Sequence, residues 1–129
     1  MSREIKFRAW DGQSMDFNFL VHSDGRIGEI SIDEDASSSF ESFGPEVAVM
    51  QYTGIKDKNG IEIYEGDILG MTLGGPLTYG QVVFEDGAFM MRNRNIASMP
   101  NLGDLVKMLR GYEVIGNTYE NPELLKEKK

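Results

Sequence analysis

The sequence predicts a mainly β protein, a β-rich α+β fold: an N-terminal antiparallel meander, then a C-terminal SH3-like barrel, with one short helix and a C-terminal helical turn. Three observations carry that expectation. Apolar residues fall on alternate positions at Ile5, Phe7, Ala9 and again at Met15, Phe17, Phe19, Val21, the period of a strand with one buried face. Asp-Gly pairs at Asp11-Gly12, Asp24-Gly25 and Asp86-Gly87 punctuate these runs with hairpin turns. Helical spacing is confined to Leu102, Leu105, Val106 and Leu109. With 129 residues the chain suits one domain, read as two β parts. Residues 1–51 form the meander and 52–125 the barrel-like sheet, with a frayed tail at 126–129.

In order, the first strand carries Ile5, Phe7 and Ala9 toward a core, with Lys6, Arg8 and Trp10 on the polar face. The second runs through Met15 to Val21 and the third over Ile27 to Ile32, each reached by an Asp-Gly turn. Short connections of this kind leave neighbours in sequence as neighbours in the sheet. Residues 33–45 change character, with Asp33, Glu34, Asp35, the run Ser37-Ser38-Ser39 and Gly44-Pro45, and read as a loop; Phe40 and Phe43 are three apart, as in a helical turn too short to stand alone. Val47 to Tyr52 is apolar on both faces and carries no charge, so it needs cover on both sides, from its own chain or from a second subunit.

The chain is organised around Tyr52 to Leu69. Asp57-Lys58-Asn59-Gly60 lies between Tyr52, Ile55 and the alternating Ile61, Ile63, a hairpin that needs positive φ at Gly60. Glu65-Gly66-Asp67 bends the chain again into Ile68 and Leu69. A strand over 68–73 ends at Gly74-Gly75-Pro76, a long strand over 77–84 returns, and Glu85-Asp86-Gly87 turns into 88–91. This succession is what resembles an SH3-like barrel, a likeness of fold that carries no function. The helix is capped by Asn101 and ended by Gly111, Tyr112 to Gly116 closes the sheet, and Asn121-Pro122-Glu123 starts the terminal turn.

Composition excludes several function classes. The formal charge of −8 repels phosphate and anionic lipid, so direct nucleic-acid or membrane binding is not expected. No cysteine is present, which removes disulfides, thiolate nucleophiles and thiolate metal sites and fits a reducing cytoplasm. Charges at Arg3, Glu4, Lys6 and Arg8 interrupt any apolar leader, and no apolar run spans a bilayer. A soluble protein acting in the cytoplasm is expected.

The chemical inventory leans against an enzyme and yields no catalytic residue, no metal ligand and no cofactor. His22 is the single histidine and sits at a strand end beside a turn. Glu65 and Asp67 are a carboxylate pair that acid/base chemistry or a divalent cation could use, but a Glu-Gly-Asp bend explains both through turn hydrogen bonds. Asp57-Lys58-Asn59-Gly60 is similar to the start of a calcium loop, yet Lys58 and Ile61 interrupt it and no Glu closes it. Trp10, Tyr64 and Tyr119 are amphipathic rings that fill a core or meet a partner. The binding candidates are therefore Trp10, Asp57, Asn59, Tyr64, Glu65, Asp67 and Tyr119.

The stretch YTGIKDKNGIEIYEGDIL at Tyr52 to Leu69 resembles the central motif of the YopX family, small proteins carried by bacteriophages and by prophages of Gram-positive bacteria. REIKFRAWD at Arg3 to Asp11, VVFEDGAF at Val82 to Phe89 and EVIGNTYENPELL at Glu113 to Leu125 resemble the family's start, middle and end. The resemblance implies a phage or prophage accessory protein and supplies no catalytic residues. The expected function is a non-enzymatic module that binds a host or phage protein or associates with itself, giving a homo-oligomer. A metal-dependent enzyme using carboxylates near Glu65 and Asp67 is the alternative, and an acidic nucleic-acid mimic that occupies a host DNA-binding protein is a minor one.

Overall fold

The computed structural model describes residues 4–44, 46–72, 77–93, 101–108 and 111–125. The fold is mainly β, with antiparallel sheets, a curled half-barrel and one α-helix among the described residues. The chain divides into two units, Phe7–Val49 and Met1–Lys6 with Met50–Lys129.

In the first unit, β1 (Phe7–Trp10) pairs with β2 (Met15–Asp16), Ala9 against Asp16 and Trp10 against Met15. The turn between them is closed by Asp11, whose Oδ1 accepts the N–H groups of Gln13 at 2.8 Å and Ser14 at 2.9 Å. Burial in β1 does not alternate as expected: Ala9 is fully buried, but so nearly is Arg8 at 7% exposure, whose long stem lets a charged residue lie inside. Ile5, expected in the core, is 59% exposed.

The expected second strand is interrupted. Asp16 Oδ1 accepts the Asn18 N–H at 2.8 Å, a local turn that competes with the ladder, and extended pairing resumes as β3 (Leu20–Val21) in another sheet. That sheet is a three-stranded antiparallel meander of order β3-β4-β5, with β4 (Ile27–Ile32) and β5 (Ser38–Ser42). The expected meander therefore exists, built from strands one place later in the chain.

Residues 33–45, read as a loop, contain β5, and the helical turn suggested by Phe40 and Phe43 does not form. Asp33 N–H donates to Ser37 C=O and Ala36 N–H to Asp33 C=O, both at 2.9 Å, with Ala36 at φ 68°, which closes a tight reversal. From there Ile32 to Gly28 pair with Ser38 to Ser42 in unbroken register. An edge strand of serines lacks the apolar alternation by which strands are recognised.

β6 (Ala48–Lys56), which belongs to the second unit from Met50 onward, pairs there with β7 (Glu62–Tyr64), with Tyr52 opposite Tyr64 and Lys56 opposite Glu62. The irregularity between these pairs is mended by Thr53, whose Oγ1 donates to Ile63 C=O at 2.7 Å and accepts from Ile55 N–H at 3.1 Å. On its other flank Tyr52 N–H donates to Lys6 C=O at 2.9 Å, so at this end the uncharged run is central within its own chain. Val49, at its start, remains 41% exposed.

The remaining strands form a sheet of order β10-β9-β8-β11: β8 (Asp67–Thr72), β9 (Leu77–Glu85), β10 (Ala88–Arg92) and β11 (Tyr112–Asn117). β11 lies at an edge beside β8 rather than closing the sheet onto β10. Asp86 at φ 52° and Gly87 at φ 80° make the two-residue turn that joins β9 to β10, as the Asp-Gly pair predicts. The helix α1 (Leu102–Met108) begins at Asn101, whose Oδ1 accepts the Gly103 N–H at 2.8 Å. It places Leu102 and Leu105 into a core of Ile63, Leu69, Met71, Val82 and Met91. Asn121-Pro122 starts a 3-10 turn over Pro122–Leu125, Leu124 N–H donating to Asn121 C=O at 3.1 Å. Gly74-Gly75-Pro76, Leu109, the Val106 side chain and the tail 126–129 lie outside the described residues.

Candidate functional site

The corner at Tyr52 to Leu69 folds as the sequence implies, and its carboxylates accept hydrogen bonds from backbone amides. Gly60 has φ +81°, and Asp57 and Ile61 close the hairpin by a 2.8 Å hydrogen bond from Asp57 N–H to Ile61 C=O. Asp57 is buried at 6% exposure and accepts three backbone N–H groups: Asn59 at 2.8 Å and Ile61 at 2.9 Å on Oδ1, and Val114 at 2.9 Å on Oδ2. Burial pushes its pKa up, but the amides of Val114, Ile61 and Asn59 outweigh that and hold it below the usual carboxylate range. Asn59 is exposed and its Nδ2 lies 3.4 Å from Glu113 Oε2, which also faces Lys58 at 3.8 Å.

Glu65 and Asp67 accept different backbone amides. Glu65 Oε1 accepts the Gln51 N–H at 2.9 Å while its own N–H donates to Gln51 C=O at 3.0 Å. Asp67, 1% exposed, accepts the Tyr64 N–H on Oδ2 at 2.7 Å. Asp67 thus bonds within the bend, as the turn reading expects, whereas Glu65 reaches across to β6. Among the described residues no group of three or more His, Asp or Glu is placed to hold a metal ion.

The aromatic candidates separate. Tyr64 is buried, its ring 5.5 Å from that of Tyr52, so it belongs to the core. Lys6 Nζ lies 5.0 Å above the Tyr52 ring and is paired to Glu62, a bond that together with Glu4 raises its pKa. Tyr119 is 40% exposed beside the Glu65-Gly66 bend, held by its N–H to Asn117 Oδ1 at 3.0 Å. Trp10 is half-buried in β1 and belongs to the other unit. The other six candidates all lie in the second unit.

The surface that the sequence reading missed is the β3-β4-β5 sheet. Register places Leu20 opposite Gly28 and Ile30 opposite Phe40, so Leu20, Ile30, Ile32 and Phe40 share one face. On it Leu20 is 47%, Ile30 51% and Ile32 74% exposed. Phe40 is flanked by the His22 ring at 5.2 Å and the Arg26 guanidinium at 5.5 Å. Arg26 Nε donates to Asp24 Oδ2 at 2.7 Å, and next to this turn lies a hollow of about 460 Å³ between Arg26, Ile27, Ser42 and Val49. The opposite face presents Glu29 directly across from Glu41, both exposed. Between Phe7 and Val49 nine carboxylates stand against two guanidiniums, a formal −7 of the chain's −8. Recognising this surface from sequence required seeing β5, since Phe40 completes the face only once its register with Ile30 is known.

Two solved structures resemble the chain over nearly its whole length. Protein EF1440 from Enterococcus faecalis is 31% identical, with TM-score 0.62, covering 97% of this chain and 100% of that one. Protein yopX from Bacillus subtilis is 26% identical, with TM-score 0.66, covering 93% and 97%. A comparison with curated proteins gave no match. The family model described as YopX protein matches residues 6–126, which includes three of the four sequence blocks whole and the first from Lys6 onward, and on that match the chain belongs to the YopX family.

Proposed function

We propose that the chain is a non-enzymatic, protein-binding accessory protein of phage or prophage origin, acting in the bacterial cytoplasm, and that the Phe7–Val49 unit carries the binding surface. What supports this reading is one observation above the others: Leu20, Ile30 and Ile32 lie exposed together on one face of a small sheet. Contiguous apolar surface of this kind is uncommon on a protein that meets only water. The corner carboxylates give the metal-enzyme reading little to work with, because Asp57, Glu65 and Asp67 are already engaged by backbone amides. A formal −7 on the binding unit weighs against a second copy as the occupant and toward a different protein.

The test is a pull-down from prophage-induced host cells with the wild-type chain and with the double variant Ile30→Ser, Ile32→Ser, alongside sedimentation of both. A protein captured by the wild type and lost from a folded variant is the expected result. Identical capture by both, or a monomer that captures nothing, would overturn the reading.

A further inference from the structure

We infer that the outer edge of β5 accepts an extended, basic segment of the partner as a fourth strand, alternating Lys or Arg with apolar residues. This rests on the protein-binding reading above and names the partner's chemistry.

The edge is open and its polarity can be worked out residue by residue. Phe43 N–H donates to Ile27 C=O at 2.9 Å, and Ser37 C=O accepts from Asp33 N–H at 2.9 Å, so the odd-numbered positions turn their backbone groups toward β4. Neighbouring residues of a strand point these groups in opposite directions. The N–H and C=O groups of Ser38, Phe40 and Ser42 therefore face away from β4, where no strand is paired among the described residues. Four of the five β5 residues are exposed, Phe40 being half-buried. Of the devices that guard edge strands, β5 has no Lys, Pro or bulge, and its one charged side chain is Glu41. Main-chain pairing along such an edge is a general mode of peptide recognition, with specificity set by alternate side chains.

Register then dictates what those side chains should be. A residue placed beside Phe40 joins the apolar face with Ile30 and Ile32. The residues on either side of it fall on the opposite face, beside Ser39 and Glu41, and Glu41 already stands directly across from Glu29. Like charges directly opposed in a sheet are destabilising, and a cation set against them relieves this. The acids Asp33, Glu34 and Asp35 at one end and Glu46 beyond the other extend the attraction along the strand. A second copy of the chain would instead bring −7 against −7.

The probe is a short labelled peptide of alternating Lys and Val, titrated into the full chain by fluorescence anisotropy. Saturable binding is expected, weakened several-fold as salt rises from low to physiological because part of it is charge attraction. Glu29→Gln with Glu41→Gln should lower affinity about tenfold, in keeping with two lost exposed charge contacts. Ser42→Pro removes one outward N–H at a position where an edge strand tolerates proline, and should abolish binding while circular dichroism stays unchanged. The same peptide methylated on alternate amide nitrogens should not bind, a control that leaves the protein untouched. Absence of saturable binding, or equal binding of the methylated peptide, would overturn the proposal, as would a dimer of the chain that Ser42→Pro dissociates. If the pull-down partner is lost from Ile30→Ser, Ile32→Ser but retained by Ser42→Pro, the binding reading stands and the edge proposal falls.

Discussion

The Asp57 carboxylate accepts the Val114 N–H at 2.9 Å across 57 positions of sequence, fastening the turn of the β6–β7 hairpin to the edge strand β11. Its other oxygen holds Asn59 and Ile61, so one buried side chain fixes both the turn and its docking. Asp57→Asn keeps an acceptor for the turn but sets an amide NH₂ against Val114 N–H. A loss of about 2–3 kcal/mol is expected in urea unfolding, the scale of a buried charged hydrogen bond left unmade. A change below 0.5 kcal/mol would show the contact to be incidental.

The same residue predicts a pH dependence. Its pKa is lower in the folded than in the unfolded chain, where a carboxyl titrates near about 3.9. Its contribution is therefore fully present above the unfolded pKa and is lost as pH falls through the folded one. The stability gap between wild type and Asp57→Asn should stay constant from neutral pH down to about pH 5 and close progressively below about pH 4. Equal gaps throughout acid titration would contradict the assignment.

Gly28 in β4 approaches β5 so closely that an added Cβ would lie 1.9 Å from the Glu41 carbonyl oxygen. Backbone cannot yield as a side-chain tip can. Gly28→Ala should open the β4–β5 pairing at a cost of about 1–3 kcal/mol, visible as lost amide protection in β5. Unchanged protection would contradict so close an approach of β4 to β5 at Gly28.

Because Glu65 and Asp67 are each engaged by backbone amides, at Gln51 and Tyr64, titration with Mg²⁺, Mn²⁺ or Ca²⁺ should leave Tm nearly unchanged. A rise of several degrees that Asp67→Ala removes would restore the metal-enzyme reading.

Local chemistry was legible in the sequence wherever a few adjacent residues decide the conformation. The Asp57–Gly60 hairpin, the Asp86-Gly87 turn, the Asn101 cap and the Asn121-Pro122 start all form as their residue types require. What depends on distant partners was not legible. Nothing near Asp57 in sequence announces Val114, and nothing in Ser38-Ser39-Phe40 announces pairing with Ile30, because serine has weak strand preference and an edge strand exposes both faces. The break at Asn18 was hidden for the opposite reason: a clean apolar alternation ran straight through it, and the Asp16 side chain prevailed over the ladder.

Residue-resolved amide hydrogen exchange tests the central claim, that the Phe7–Val49 unit presents an open sheet edge to a protein partner. In the chain alone the amides of Ser38, Phe40 and Ser42 should exchange at close to unprotected rates while those of Ser39, Glu41 and Phe43 are slowed, and a bound partner should slow the first three. Protection of all six in the chain alone, or no change at Ser38, Phe40 and Ser42 when a partner binds, would contradict it.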